Sequence, residues 1–185
     1  MTEFVKYPKT PRLFRDVVIT EKIDGTNAAI GITEAGDFWT QSRNRIITPK
    51  DDNAGFARWA WYWSDVLANL LGPGVHFGEW WGSGIQRGYG LVNGERRFSL
   101  FNVSRWEGAD LSAVPWLGVV PVLYQGVFSD YYVERTLDEL ALDGSRAKPG
   151  FMDPEGVCVF HTASRQVYKV LLENDSMPKT LAAVA

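Results

Sequence analysis

Apolar and polar residues alternate with a period of two over residues 17 to 24, 27 to 33 and 37 to 43, which predicts strands. Glu34-Ala35-Gly36-Asp37 is placed as a hairpin turn between the last two. From Asp51 to Leu71 the period changes: Phe56, Trp59, Ala60, Trp63, Val66, Leu67 and Leu70 recur at helical spacing. Asp51, Asp52 or Asn53 can cap the start of that helix, and Gly72-Pro73 stops it. Further strands are expected at 75 to 81, 97 to 103, 119 to 125, 155 to 161 and 166 to 172. A second helix is expected over Tyr132 to Leu142, carried by Val133, Leu137, Leu140 and Ala141 and ended at Gly144. The first sixteen residues, with Pro8, Pro11 and scattered basic residues, predict an irregular lead-in. The pattern is a sheet-rich α+β one, mostly antiparallel sheets with flanking helices, without the regular βαβ alternation of a parallel sheet. Neither an internal repeat nor a low-complexity linker interrupts it.

A length of 185 residues with 45% hydrophobic and 22% charged residues predicts one soluble domain, residues 1–185, with a sizeable core. No apolar run reaches the ~18 to 20 residues of a membrane span, and the N-terminus lacks the basic-then-apolar order of a signal peptide, so a cytoplasmic protein is the expectation. The single Cys158, in Val157-Cys158-Val159, excludes an internal disulfide and a cysteine-rich zinc site and is read as an inert thiol. His76 and His161 are far apart in sequence, a poor basis for a histidine metal site. The net charge of −3 is not the overall footprint of a nucleic-acid binder. The basic pairs Arg12 and Arg15, Arg43 and Arg45, Arg96 and Arg97 leave room for a local groove. Trp59 and Trp63 are expected to anchor the core; Trp61, on the helix flank, could pack on a neighbouring segment or stack on a base.

The chemistry gathers around Thr20-Glu21-Lys22-Ile23-Asp24-Gly25-Thr26-Asn27, which joins the apolar runs Val17-Val18-Ile19 and Ala28-Ala29-Ile30 as two strands meeting at Gly25. In extended chain Thr20, Lys22 and Asp24 share one face and Glu21 and Ile23 the other. Two readings of Lys22 are open: a strand end reaching solvent and pairing with Asp24, or a covalent nucleophile. A free lysine amine titrates near ~10.4, so the second reading needs a neighbouring cation or dry surroundings, and Asp24 alone works against it.

Five further blocks follow in order. Gln41-Ser42-Arg43 ends a strand, and Phe77-Gly78-Glu79-Trp80-Trp81-Gly82-Ser83-Gly84-Ile85-Gln86 sets a carboxylate among glycines that free the backbone for close approach. Phe98-Ser99-Leu100-Phe101-Asn102-Val103 alternates as a strand, and such phenylalanines usually face a core. Glu155-Gly156-Val157-Cys158-Val159-Phe160 opens a strand with a carboxylate, and Val167-Tyr168-Lys169-Val170-Leu171-Leu172 sets a lysine within one. Glu-Lys-Ile-Asp-Gly-Thr-Asn at 21–27 resembles the nucleotidyltransferase motif of the covalent ligase and capping-enzyme superfamily, in the form of ATP-dependent RNA ligases of the phage and RNA-editing type. The six blocks reach from residue 21 to residue 172, and Gly-x-Gly-Ile-Gln is similar to that family's RNA-ligase signature.

The resemblance implies a nucleotidyltransferase fold, an ATP-grasp-like ligase adenylation domain, with Lys22 as nucleophile. Glu21, Asn27, Arg43, Glu79, Phe101 and Lys169 then fall at nucleotide-binding positions. Arg43 contacts the ribose or the acceptor strand, Glu79 the ribose, and Phe101 stacks on adenine with Phe98 as its core partner. Glu155 helps hold the catalytic metal, Mg2+ or Mn2+, and Lys169 contacts the α-phosphate. ATP is the implied cofactor, and RNA ends, or DNA or hybrid ends, the implied partners. Two positions depart from the family pattern. Asn102 stands where an aspartate is usual, and Leu171 where a second lysine is usual, so charge at the leaving pyrophosphate must come from Lys179, Arg165 or the metal. Sixteen residues follow Lys169, which leads to the expectation of a minimal catalytic core without a C-terminal nucleic-acid-binding domain, one that can depend on a partner protein. The implied activity is joining of 3'-OH and 5'-phosphate ends through lysyl-AMP. The alternatives are a DNA ligase of the same superfamily, a capping guanylyltransferase using GTP, and a non-catalytic nucleotide- or nucleic-acid-binding module.

Overall fold

A computed structural model describes residues 2–173 and 175. In chain order its strands and helices are Asp16–Lys22 (β1), Thr26–Ile32 (β2), Phe38–Ser42 (β3), Ile46–Ile47 (β4), Phe56–Tyr62 (α1), Ser64–Leu71 (α2) and Gly74–Gly82 (β5). They continue with Arg96–Leu100 (β6), Val103–Trp106 (α3), Leu117–Val119 (β7), Val122–Val127 (β8), Asp130–Asp143 (α4), Gly156–His161 (β9) and Gln166–Leu171 (β10). The strands form two sheets, one of four in the order β10-β9-β1-β8 and one of six in the order β4-β3-β2-β5-β6-β7. Every pairing is antiparallel except β6 with β7, so the α+β expectation stands.

Alternation assigns one face of each sheet to a core. In the six-stranded sheet Ala28, Ile30, Trp80, Phe98 and Leu100 point to one side and pack on Phe56, Trp59, Ala60, Leu67 and Leu71 of α1 and α2. The Phe56 ring lies 4.8 Å from that of Phe98 and 5.6 Å from that of Trp80. Each such buried aromatic contributes roughly 2 to 3 kcal/mol through the area it removes from water. In the four-stranded sheet Val17, Ile19, Val157 and Val159 pack beneath α4 on Val133, Leu137 and Leu140. The opposite faces carry Lys22 and Lys169 in the four-stranded sheet, beside Phe160 and Val167, and Glu79 in the six-stranded one, beside Trp81.

The strands flanking Gly25 do not pair with each other. β1 belongs to the four-stranded sheet and β2 to the six-stranded one, so the chain crosses between sheets there. Side-chain bulk is excluded at the crossing, because a Cβ on Gly25 would lie 2.5 Å from the Trp80 carbonyl oxygen. The chain crosses again at Pro121, which divides the expected strand 119–125 into β7 on one sheet and β8 on the other. Proline donates no ladder hydrogen bond, and the Pro121 carbonyl instead accepts from the Glu21 N–H at 2.9 Å.

The helix expected from Asp51 to Leu71 is two helices, broken at Trp63 (φ −102°, ψ 14°). The break re-aims the chain so that both Trp59 with Ala60 and Leu67 with Leu71 are buried. Asp52 does cap the first helix, although α1 starts only after Gly55: its carboxylate accepts from the Ala57 N–H at 2.8 Å and the Arg58 N–H at 3.2 Å. Strand 97–103 stops at Leu100, where Asn102 caps α3 through a bond from the Arg105 N–H at 3.3 Å. Trp61 packs edge-on against Phe38, with ring centroids 5.3 Å apart. No helix among the described residues is long and apolar enough to cross a membrane.

Candidate active site

Lys22 is the last residue of β1, and the strand's alternation decides what surrounds it. Val17, Ile19 and Glu21 are buried under α4 while Thr20 and Lys22 take the other face. Across the ladder Lys22 stands opposite Gly156, which stands opposite Leu171; Thr20, Cys158 and Lys169 form the next row. Cross-strand partners share a face, so Lys22, Cys158 and Lys169 look to the same side. There the Lys22 ammonium donates to Glu155 Oε2, closing a contact between residues 133 positions apart, with both side chains about three-quarters or more buried. Gly156 makes that aim possible: its φ of 150° and the Val170 carbonyl, 2.3 Å from where a Cβ would lie, both demand glycine directly after Glu155.

The six-stranded sheet presents Glu79 to this pair. Glu79 lies mid-strand on β5, with Asn27 of β2 on one side and Ser99 of β6 on the other. Burial pushes its carboxyl up to about 7; Lys22, the Gly25 N–H and Arg43 pull the other way, and Glu155 adds to the rise. The charges of Lys22, Arg43, Glu79 and Glu155 therefore act within one space. Cys158 belongs to the same space: burial pushes its thiol up, against the pull of Lys22 and Lys169, which keeps it protonated and inert as expected. Its side chain lies on this face and not in the core.

Of the residues singled out from sequence, Lys22, Asn27, Arg43, Glu79, Glu155 and Lys169 converge here. Phe101 follows β6 on the same sheet face as Glu79, its N–H bonded to the Phe77 carbonyl at 3.0 Å and its side chain 40% exposed at the rim, while Phe98 is fully buried on the opposite face. Glu21 stands apart. Its carboxylate, 1% exposed, accepts from Ser145 Oγ and from the N–H groups of Arg146 (2.7 Å) and Ala147 (2.8 Å), behind the strand that carries Lys22. Leu171 lies beside Gly156 on the Lys22 side. Arg165 occupies the β9–β10 turn, at the far end of those strands, and so does not supply the charge that Leu171 lacks. Lys179 lies outside the described residues.

Two contributors escaped the sequence reading. Arg87 donates to the Asp24 carboxylate (3.3 Å) and to the Asp153 carbonyl (3.2 Å), tying the turn after Lys22 to the segment before Glu155. Tyr89, fully buried, accepts the Asp24 N–H at 2.9 Å; its ring stacks on Phe151 at 4.5 Å and meets Trp81 edge-on at 5.0 Å. The only mark of Tyr89 in the sequence is its place between Gly88 and Gly90, where its φ of 52° bends the chain.

Burial, and then the nearby Glu155, push the Asp24 carboxyl up, with Lys22 and Arg87 opposing. Asp24 and Glu79 thus each feel the Glu155 carboxylate in partly dry surroundings, an environment that favours a cation. Among the described residues no three His, Cys, Asp or Glu side chains come together as a ready-made metal cage. A hard divalent ion that keeps its waters and shares phosphate oxygens asks for one or two protein carboxylates, and Glu155 fits that demand.

An RNA ligase family model matches residues 15–171. No curated protein matches the sequence. Among solved structures, the chain resembles a mutant RNA ligase of Naegleria gruberi with AMP and Mn, at TM-score 0.64 and 16% identity over 86% of this chain and 50% of that one. A mutant of the same ligase with ATP and Mn matches at TM-score 0.63 and 17% identity, over 87% and 51%. The ligase with PPi matches at TM-score 0.64 and 16% identity, over 92% and 57%. The chain thus spans between half and three-fifths of the length of those structures, and at such identities the likeness is one of fold.

Proposed function

Since the chain belongs to the RNA ligase family, we propose that it is the adenylation domain of an ATP-dependent RNA ligase, with Lys22 as the covalent nucleophile. The observation that carries the reading is the meeting of Lys22, Glu155, Glu79 and Lys169 in one space, from strands of two different sheets. Two departures from the usual family pattern, Asn102 and Leu171, leave that meeting intact.

In this reading ATP lies between the sheet faces that carry Lys22 and Glu79. The Lys22 ammonium gives up a proton to solvent, leaves its pair with Glu155 as a neutral amine and attacks the α-phosphorus; the N–P bond forms as the bond to pyrophosphate breaks, and the nitrogen loses a second proton to solvent, giving a lysyl-AMP phosphoramidate. Lys169 faces the same side as Lys22 and stabilises charge on the α-phosphate. Glu79 and Asn27, neighbours across β5 and β2, hold the ribose, Phe101 stacks on the base, and Arg43 takes the ribose or the acceptor strand. Glu155 would hold a divalent cation, Mg2+ or Mn2+, whose positive charge offsets that of the phosphates. AMP then passes to the 5'-phosphate of an RNA end, and a 3'-hydroxyl attacks that phosphate and expels AMP. Throughout, the side chains position and neutralise.

The test is incubation with α-labelled ATP and Mg2+. The wild-type protein is expected to carry a covalent AMP that added pyrophosphate removes, and Lys22→Ala none. An unlabelled wild type overturns the reading, and a labelled Lys22→Ala protein overturns the nucleophile. Sealing of defined RNA and DNA ends by the labelled protein then sets the substrate.

A further inference from the structure

Four of the 19 Lys and Arg residues of this acidic chain lie close together where the proposed reaction leaves them unused. Residues 2–15 hold Lys6, Lys9, Arg12 and Arg15 against Glu3 alone, in a chain of net charge −3. Aromatic residues alternate with these cations: Phe4, Tyr7 and Phe14 are 88%, 84% and 69% exposed. Every residue from 2 to 15 is exposed, and among the described residues none of the four cations pairs with a carboxylate. Pro8 and Pro11 favour an extended path, which keeps the rings from collapsing onto one another. A soluble protein has no folding reason to leave two aromatic rings this bare; cations spaced among bare rings are the pattern that tracks a single-stranded backbone and stacks its bases.

The segment is rooted where such a strand would pass. The Leu13 carbonyl accepts from His161 Nε2 at 2.6 Å, the Phe128 N–H donates to the Arg15 carbonyl at 2.9 Å, and the Phe14 ring lies 6.4 Å from that of Phe128. These contacts fix the root at the start of β1, whose other end is Lys22, about 20 Å away at the rise of a strand. Between them, on the face that carries Lys22, lie Val18, Phe160 and Val167 in one row and Thr20, Cys158 and Lys169 in the next. Phe160 and Val167 are 38% and 63% exposed. Extended, the eleven residues before the root reach about 37 Å, enough to lie along this path.

Resting on the ligase reading, we propose that residues 2–15 are a single-strand RNA-binding arm that holds the substrate along the four-stranded sheet as its end enters the site. The cations neutralise phosphates, and Phe4 and Tyr7 stack on bases.

Binding of a short fluorescent single-stranded RNA with a 5'-phosphate, measured by anisotropy over a range of salt, tests this. The wild type is compared with Lys6→Ala/Lys9→Ala/Arg12→Ala and with Phe4→Ala/Tyr7→Ala. Removing three phosphate contacts is expected to weaken binding at least tenfold and to lower the slope of log K against log salt by about 2. Removing two rings is expected to weaken binding about tenfold or more with the slope unchanged. Melting temperatures of both variants should match the wild type, since these side chains pack on nothing. Equal affinity and equal slope in all three proteins overturn the arm. The ATP-labelling result is independent of it: a labelled wild type whose RNA affinity ignores the arm sinks this inference alone, and an unlabelled one sinks the ligase reading.

Discussion

In the proposed reaction Glu79 is a single side chain held for function at a cost in stability. Its carboxyl has an ordinary value of 4.5 and is pushed up to about 7 in the folded protein, chiefly by burial. Below pH 4.5 folded and unfolded chains both keep the proton, so the group imposes no penalty. Between 4.5 and 7 the unfolded chain loses it first, and stability falls as pH rises; above about 7 the loss is complete. At about 1.4 kcal/mol per pH unit the ceiling is near 3 kcal/mol, and partial exposure reduces it to roughly 1 to 2. Glu79→Gln is therefore expected to raise the melting temperature by several degrees at pH 8 and to leave it unchanged at pH 4.5, while slowing ATP labelling. Thermal melts of both proteins at the two pH values check this; a variant less stable than wild type at pH 8 would show that the carboxylate is a net support of the fold.

At the scale of elements, the loop carrying Gly88–Gly90 acts as a prop for the turn after Lys22. Tyr89 reaches that turn through one hydrogen bond to the Asp24 N–H and is itself fixed by Phe151 and Trp81. Tyr89→Phe keeps the ring contacts and removes the acceptor, leaving a partly buried N–H unpaired at a cost of about 1 to 3 kcal/mol. With Lys22 as the proposed nucleophile, the expected result is an approximately tenfold slower labelling rate with the KM for ATP little changed, since the support of Lys22 loosens while the proposed nucleotide contacts remain. A shift in KM alone would place Tyr89 in binding instead. Sequence alone could not have disclosed this prop, because a tyrosine between glycines has no periodicity and its partner is 65 residues away. Local pattern did disclose most strands, the Gly72 and Gly144 stops and the cap at Asp52, all of which depend on neighbours a few residues apart. It missed what depends on distant partners: the break at Trp63, the passage between sheets at Gly25 and Pro121, and the engagement of Glu21 by the segment 145–147. The alternation of β1 did separate Glu21 from Lys22, yet motif likeness had grouped them.

Across the whole molecule, each sheet buries its core on the face turned away from the other, under α1 and α2 in one case and α4 in the other. Among the described residues the sheets are joined by two chain crossings and by a small cluster of Ile23, Trp81, Tyr89, Leu91 and Val120. Such a joint is the part of the fold that a ligand lying between the sheets can strengthen. A nucleotide bound only by the folded chain adds about 2.7 kcal/mol at a hundredfold excess over its Kd, which for a chain of this size raises the melting temperature by roughly 5 to 10 °C. ATP with Mg2+ is expected to produce that rise in Lys22→Ala, where no covalent adduct complicates the melt. Mg2+ alone is expected to produce little, because the phosphates complete its coordination. A chelator should then return the ATP melt most of the way to the free protein's and abolish labelling of the wild type, while leaving the free protein's own melt unmoved. A free protein that loses stability to the chelator would mean that a metal holds the fold together, and Glu155 would have to be reread as a structural ligand.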